Sequence, residues 1–512
     1  MPQLRIGFLA HDWAQVEPWV HRLIDRMISD KKFTITALIE ADAVAEPANQ
    51  NWLYKLINPI ESKLFARPVQ TDTMNVKTLF ESQSPLKTGD TNTILSQKLD
   101  VIVSVEPGLA DRQLAGFSCH GVWFPGISGL QALSAVTGKE PVAKIELLRF
   151  TNDYSDPELI AEASINPKLL LARNVLSMKE KAVVLITREL NRLADAGFVG
   201  AISQNEIVHH SKVGTSAVVS YYISVVNKML VRGFATLKRK SGIRPDKFTL
   251  RTGTGNALDF DPKATIEIIP DGNNFWADPF LWERDGKTYC FYEHYSRATK
   301  LGHIQVGVLE GDQMRVLGDA LKTDIHLSFP FLFEEDGELY MMPETCANKR
   351  IEIWRCTVFP LKWELHSTAL EGHCAADSMI LRRDGKWWLF TNIGSDVYCD
   401  NCSELHIFEI DGPDLKKVKP HAANPVVMDS RTARNAGRFH EIDGQLIRPS
   451  QDNSHGQYGF GLNMMVVEDL SLESYRERLV RRINPKFDPT IAACHHFDQL
   501  GDRFIMDALK TN

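Results

Sequence analysis

Along residues 1–195 the apolar positions fall in short runs separated by stretches of helical spacing. Residues 4–9 (LRIGFL) read as a strand, residues 17–29 carry Trp19, Leu23 and Met27 at helical intervals, and residues 33–39 are rich in β-branched side chains. A second buried strand over residues 100–105 ends in the turn Glu106-Pro107-Gly108, and residues 116–124 read as a third. This alternation predicts an α/β domain with a parallel sheet, in which ligands gather at the carboxyl ends of the strands. A helical run over residues 177–194 closes this half.

From about residue 266 the rhythm changes to short aromatic and β-branched runs broken by Asp-Gly or Gly-Asp, and one unit recurs five times. Its copies are residues 277–293, 328–344, 376–392, 436–451 and 493–508, aligned on Gly286, Gly337, Gly385, Gly444 and Gly501. Each copy is a strand, a tight turn and a strand, because a two-residue hairpin needs positive φ, which Gly and Asp tolerate best. Roughly 50 residues per unit suit a four-stranded blade, so residues 266–512 are predicted to form an all-β five-bladed propeller. An irregular β-sandwich with recurring hairpins is the alternative.

Residues 196–265 are expected to be a linker with a helix. Residues 218–237 are helix-compatible and apolar, and Lys238-Arg239-Lys240 follow. Two readings fit: a contact with a membrane surface or acidic partner, or a connecting helix whose cations complement its own macrodipole.

Composition narrows the function classes. The chain has 512 residues, 44% hydrophobic and 24% charged, which is ordinary for a soluble multidomain protein. Its 58 Lys+Arg against 65 Asp+Glu leave a net charge of -7, which gives no general electrostatic reason to bind nucleic acid. No apolar run is long enough to span a bilayer. Eight cysteines are too sparse for a disulfide framework, and the first residues (MPQLRIGFLAHDW) lack a signal-peptide pattern, so a cytoplasmic location is expected. The lone Cys399-Asp400-Asn401-Cys402 lacks the second pair that zinc requires, and it reads as a loop with two free thiols; no metal is expected.

Residues 100–105, Glu106-Pro107-Gly108, Ser118-Cys119-His120-Gly121 and residues 140–172 resemble the folate-dependent formyltransferases and their sugar-formylating relatives, over residues 3–193. The resemblance implies 10-formyltetrahydrofolate as cofactor. It places the family's proton-transfer His on His120, the carboxylate that orients it on Asp156, and Ser118 where the family has an oxyanion-stabilising Asn.

The propeller units resemble the arabinanase-like family 43 glycoside hydrolases and, more closely, the N-terminal domain of plant glucosamine inositolphosphorylceramide transferases. Trp276-Ala277-Asp278-Pro279-Phe280, Met342-Pro343-Glu344 and Ala376-Asp377-Ser378 carry the likeness. In such a fold the innermost strands face a central funnel, so equivalent positions in different blades meet. Eight residues before each turn glycine stand Asp278, Phe329, Asp377, Ala436 and Ala493; seven after it stand Glu293, Glu344, Asn392, Gln451 and Ala508. The resemblance implies that Asp278 is base or nucleophile and that Asp377 tunes pKa or fixes the sugar.

The hydrolases place a general-acid Glu early in blade four, where this chain has Arg434-Asn435-Ala436-Gly437-Arg438, so Glu344 is the substitute. Arg434, Arg438, Arg448 and His495 beside the two aspartates suit an anionic or phosphorylated sugar. Asp278 alternatively stabilises a blade by bonding a backbone amide. The tryptophans of the first three blades read mainly as blade packing.

The reading taken forward is formyl transfer to an amino sugar or nucleotide sugar, with the propeller holding the acceptor. The alternatives are a glycoside hydrolase or glycan-transfer activity in the propeller with an inert first half, and a glycan-binding protein without catalysis.

Overall fold

The computed structural model describes residues 3–14, 16–41, 61, 84–110, 112–127, 129–153, 156–202, 214–240, 246–270, 272–311 and 313–511. The side chains of the basic cluster Lys238-Arg239-Lys240 lie outside the described residues. The chain divides into two compact units, Met1–Lys228 with Asp396–Tyr398, and Met229–Ser395 with Cys399–Asn512.

The first unit holds a seven-stranded sheet. Its order is Leu86–Lys87, Phe33–Glu40, Leu4–Ala10, Val101–Ser104, Val122–Gly126, Ala143–Phe150 and Glu158–Ile165. The first five strands are parallel and the last two antiparallel. Strand order reverses between Leu4–Ala10 and Val101–Ser104, the switch point at which open α/β sheets form a crevice. There the Glu106 carboxylate accepts from the His11 amide at 3.0 Å. The predicted parallel sheet is present, with a mixed edge. The helix Pro18–Ser29 buries Trp19, Leu23 and Met27, and Leu171–Ala196 is longer than the predicted run.

The second unit is five blades, four of them four-stranded sheets and the closing one a five-stranded sheet; in the first four the innermost strand comes first. Blade one is Phe275–Arg284, Lys287–Ser296, Leu301–Glu310 and Gln313–Leu321; blade two runs from Ser328–Glu335 to Lys362–Ala369; blade three from Ala375–Arg383 to Val418–Pro420; blade four from His440–Ile442 to Tyr475–Ile483. The propeller is therefore the architecture, and the sandwich alternative falls. Four of the five turns carry positive φ at both Asp and Gly (Asp285 51° and Gly286 67°, for example), the geometry of a twist-matched hairpin.

Blade five corrects the expected boundary. Ile491–Ala493 and Phe497–Leu500 both pair with Arg503–Lys510, whose other edge pairs with Lys247–Thr254 and then Ile266–Ile268. A strand placed in the linker thus closes the ring, leaving the sheets no long free edge. Lys247–Thr254 has no turn glycine and no aromatic pair, so no repeat signal marks it.

A second correction concerns the cysteines. Cys346, just after the second strand of blade two, is bonded to Cys374, just before blade three; the Asn401 side chain donates to both sulfurs, at 3.6 and 3.4 Å. Neither Cys399 nor Cys402 takes part in a disulfide.

Candidate functional site

In blades one, two and three the pairing register slips between Ala277 and Phe280, Ser328 and Phe331, and Ala376 and Met379. The bulge places Asp278, Phe329 and Asp377 at φ of 51°, 46° and 42°. Phe329 shares this left-handed backbone without a carboxylate, so the strain belongs to the blade geometry and aims each side chain toward the propeller axis.

The carboxylates then stitch the ring. The Asp278 amide donates to Asp507 Oδ2 and the Phe329 amide donates to Asp278 Oδ2, both at 3.2 Å. Asp507 Oδ1 also accepts from the amides of His495 (2.9 Å) and His496 (3.1 Å). The blade-stabilising reading of Asp278 is therefore met, with an amide of the next blade as donor.

Asp278 has a second environment. His495 Nε2 stands 3.3 Å from Asp278 Oδ1 and its Nδ1 stands 3.1 Å from Asp507 Oδ2, with His496 Nδ1 at 3.6 Å from Asp278. Burial would raise the Asp278 pKa, but the His495 hydrogen bond and the charges of His495, His496 and Arg434 hold it at about 2. Burial opposes charging His495, yet the two carboxylates raise its pKa well above the ordinary value, so it is a buried imidazolium. Asp278, His495 and Asp507 offer atoms within 4.8 Å of one another. A cation would bind there only once His495 gave up a proton and freed a lone pair.

The other half of the cluster centres on Arg434. Its Nε donates to Asp377 Oδ2 at 2.6 Å, and its Nη2 reaches Asp377 Oδ1 at 3.3 Å and Glu344 Oε2 at 3.2 Å. Gln451 Nε2 adds a bond to Asp377 Oδ2 at 2.9 Å, and Asn435 Nδ2 bonds the Asp377 carbonyl at 2.8 Å. Burial, followed by the charges of Asp377 and Asp278, pushes Glu344 up to about 8 against the opposing pull of Arg434. Glu293, 3.4 Å from His326 Nε2, is likewise raised well above the carboxylate range by burial and by Asp278. The cluster thus holds an ionised Asp278 and a protonated Glu344 at neutral pH, the separation that acid and base roles require.

Over Arg434 lies the Tyr458 ring, 5.1 Å from the guanidinium carbon and 5.4 Å from the His495 ring. Tyr458 is 44% exposed, an aromatic face at the edge of this charged cluster.

Asp278, Glu344 and Asp377, which the repeat alignment singled out, lie in one cluster with His495 and Arg434, but Arg438 and Arg448 are committed elsewhere. Arg438 donates to Asp498 (2.6 Å) and to the Leu281 carbonyl (2.9 Å), tying blade four to blades five and one. Arg448 is wholly buried and forks onto Glu477 at 2.8 and 2.7 Å. Ion pairing uses up two of the cations that suggested an anionic sugar, and Arg434 is balanced by its own carboxylates.

The repeat comparison missed Tyr458 and Asp507 because neither stands at an inspected position. Tyr458 follows Ser454-His455-Gly456-Gln457 in the loop between Gln445–Asp452 and Gly461–Leu470, outside the repeated hairpin. Asp507 stands one residue before the inspected Ala508, and strand alternation turns the neighbour the other way.

In the first unit, Ser118 and His120 immediately precede Val122–Gly126, and the His120 amide bonds the carbonyl of Asp100, which precedes Val101–Ser104. They therefore lie at the amino ends of the parallel strands, opposite the end at which the switch-point crevice forms. The Ser118 hydroxyl gives its proton to the Gly121 carbonyl at 2.7 Å, leaving none for an oxyanion. Burial lowers the His120 pKa despite Asp100. Asp156 is exposed, and no hydrogen bond among the described residues joins it to Ser118 or His120. At these residues the fit to a formyl-folate is absent.

Residues 264–487 match the family described as "Glucosamine inositolphosphorylceramide transferase 1, N-terminal". Over 209 residues, 40% of this chain, it is 35% identical to glucosamine inositolphosphorylceramide transferase 1 of Oryza sativa subsp. japonica and 36% identical to that of Arabidopsis thaliana. The match spans 28% and 27% of those proteins, less than a third of their length. Among solved structures, Zg3597, a family 117 glycoside hydrolase from Zobellia galactanivorans, is 11% identical with a TM-score of 0.34, over 52% of this chain and 90% of that one. CoXyl43, a family 43 β-xylosidase/α-arabinofuranosidase from a compost microbial metagenome, is 15% identical with a TM-score of 0.34, over 46% and 91%. The count of five blades rests on the sheet pairing above.

Proposed function

We propose that the propeller funnel is the working site of this chain and that it acts on the glycan part of a glycoconjugate. The observation that carries this is one buried cluster in which His495 stands against Asp278 while Arg434 spans Asp377 and Glu344, with the Asp278 pKa, which burial would raise, drawn down by His495 and the Glu344 pKa pushed up by burial. Glu344 gives its proton to the leaving glycosidic oxygen, while the Asp278 carboxylate stabilises positive charge at the anomeric carbon or takes the proton of the attacking hydroxyl. Arg434 and Gln451 hold Asp377 in place through their hydrogen bonds, and Tyr458 offers a face on which a sugar ring stacks.

The attacking hydroxyl decides the outcome: water gives hydrolysis, and a second sugar or inositol hydroxyl gives transfer. The matched relatives, named for transfer involving glucosamine and inositolphosphorylceramide, favour a glycolipid headgroup carrying an amino sugar. The test is turnover of glucosamine-bearing inositol glycolipids and aryl glycosides by the wild type, Glu344→Gln and Asp278→Asn. Loss of turnover with retained binding in Glu344→Gln supports the assignment. Wild type that binds these glycans without turning any over makes the funnel a binding site only, and turnover unaffected by both substitutions removes it from the chemistry.

A further inference from the structure

The helix Thr215–Lys240 is apolar on two faces, and among the described residues only one of them is buried. Val218, Tyr221 and Val225 are buried against the first unit. The Tyr221 hydroxyl accepts from the Leu171 amide at 3.0 Å and donates to Glu61, and Lys228 Nζ donates to the Val136 carbonyl at 2.7 Å. About a quarter turn away stand Val219, Tyr222, Ile223, Val226, Met229 and Leu230, between 36% and 58% exposed. Val219, Ile223, Val226 and Leu230 repeat at the i, i+4, i+7, i+11 spacing of one continuous stripe. Ser216, Ser220, Ser224 and Asn227 border it on the side away from the domain.

A continuous exposed apolar stripe of this kind marks a docking site, and the charge of the helix selects the occupant. Its 26 residues include no Asp or Glu, and its last nine include Arg232, Lys238, Arg239 and Lys240, in a chain whose net charge is -7. Among the described residues no helix is long and apolar enough to cross a membrane, so the helix would lie on a surface. We infer that this exposed stripe is a membrane-surface contact, seated in the interface of a bilayer containing anionic phospholipid. Apolar side chains enter the headgroup boundary, and the cationic end is drawn to the lipid phosphates. A second copy of the chain is the competing occupant, but five cations on each of two such helices would repel each other.

Flotation of the whole protein with phosphatidylcholine vesicles, with and without phosphatidylserine, tests the inference. Binding is expected to require phosphatidylserine and to weaken as salt is raised. The triple substitution Ile223→Ser, Val226→Ser, Leu230→Ser is expected to cut the bound fraction more than about tenfold. Lys238→Glu with Arg239→Glu should remove the phosphatidylserine preference. The serine triad replaces exposed side chains, and an unchanged far-UV spectrum and melting point show that the fold is kept. Wild type that ignores both vesicles overturns the inference, as does a triple variant that floats normally or a wild-type dimer that the triple variant turns into monomer. None of these residues belongs to the funnel, so this result and the glycan-turnover result are independent.

Discussion

Arg434 Nε stands 2.6 Å from Asp377 Oδ2, while its Nη2 reaches Glu344 Oε2 at 3.2 Å, so one guanidinium from blade four serves carboxylates of blades three and two. Asp377 and Glu344 thus accept from the same side chain.

Replacing Arg434 by Gln removes one partner of a buried network and leaves Asp377 uncompensated. The expected cost is about 3–5 kcal/mol of stability, read by denaturant titration. Arg434→Lys is expected to recover only part of it, because an ammonium does not supply the forked contact. Since Arg434 pulls the Glu344 pKa down, the Gln variant should move that pKa further up.

With Glu344 at about 8, its proton is present below that pH and lost above it. Turnover in the funnel should hold through neutrality and fall along a basic limb near pH 8. Glu344→Gln is expected to lower turnover by about 10²- to 10⁴-fold and abolish the limb, measured as a pH-rate profile.

Asp278 is held at about 2 in the folded state, below its ordinary 3.8. A depressed carboxylate adds stability that is fully present above the unfolded pKa and lost as pH falls through the folded one. The wild type should therefore lose about 2 kcal/mol between roughly pH 4 and pH 2. Asp278→Asn, less stable at neutral pH, should show a shallower slope in that window when acid unfolding is followed by circular dichroism.

The Cys346–Cys374 bond closes a stretch of 28 residues between blades two and three. Reductant should destabilise the propeller by about 2–4 kcal/mol, seen as a lower melting temperature. In the double variant Cys346→Ser, Cys374→Ser the melting temperature should no longer respond to reductant.

Much of this protein is local, and local order is readable in one chain. The turn at Asp285-Gly286 needs two left-handed residues in sequence; it recurs at three further sites, and Gly501-Asp502 marks a fifth hairpin, which together give the number of blades. Asp278, Asp377 and Glu344 were found because repetition places equivalent positions on one axis. Lys247–Thr254 was missed because its pairing with Arg503–Lys510 spans about half the chain, and nothing in its own residues records the partner.

The five hairpins and the equivalent blade positions of Asp278, Asp377 and Glu344 follow from backbone preference and periodicity along the chain. Which charges face one another depends on the packed fold. Arg438 and Arg448 look like pocket cations in the chain, yet Asp498 and Glu477 claim them. Likewise Ser118 and His120 look like a reactive pair, but they stand at the amino end of their sheet. Charge pairing and burial depend on distances in space, and these set whether an ionisable group keeps its proton, gives it up or serves only to hold two strands together.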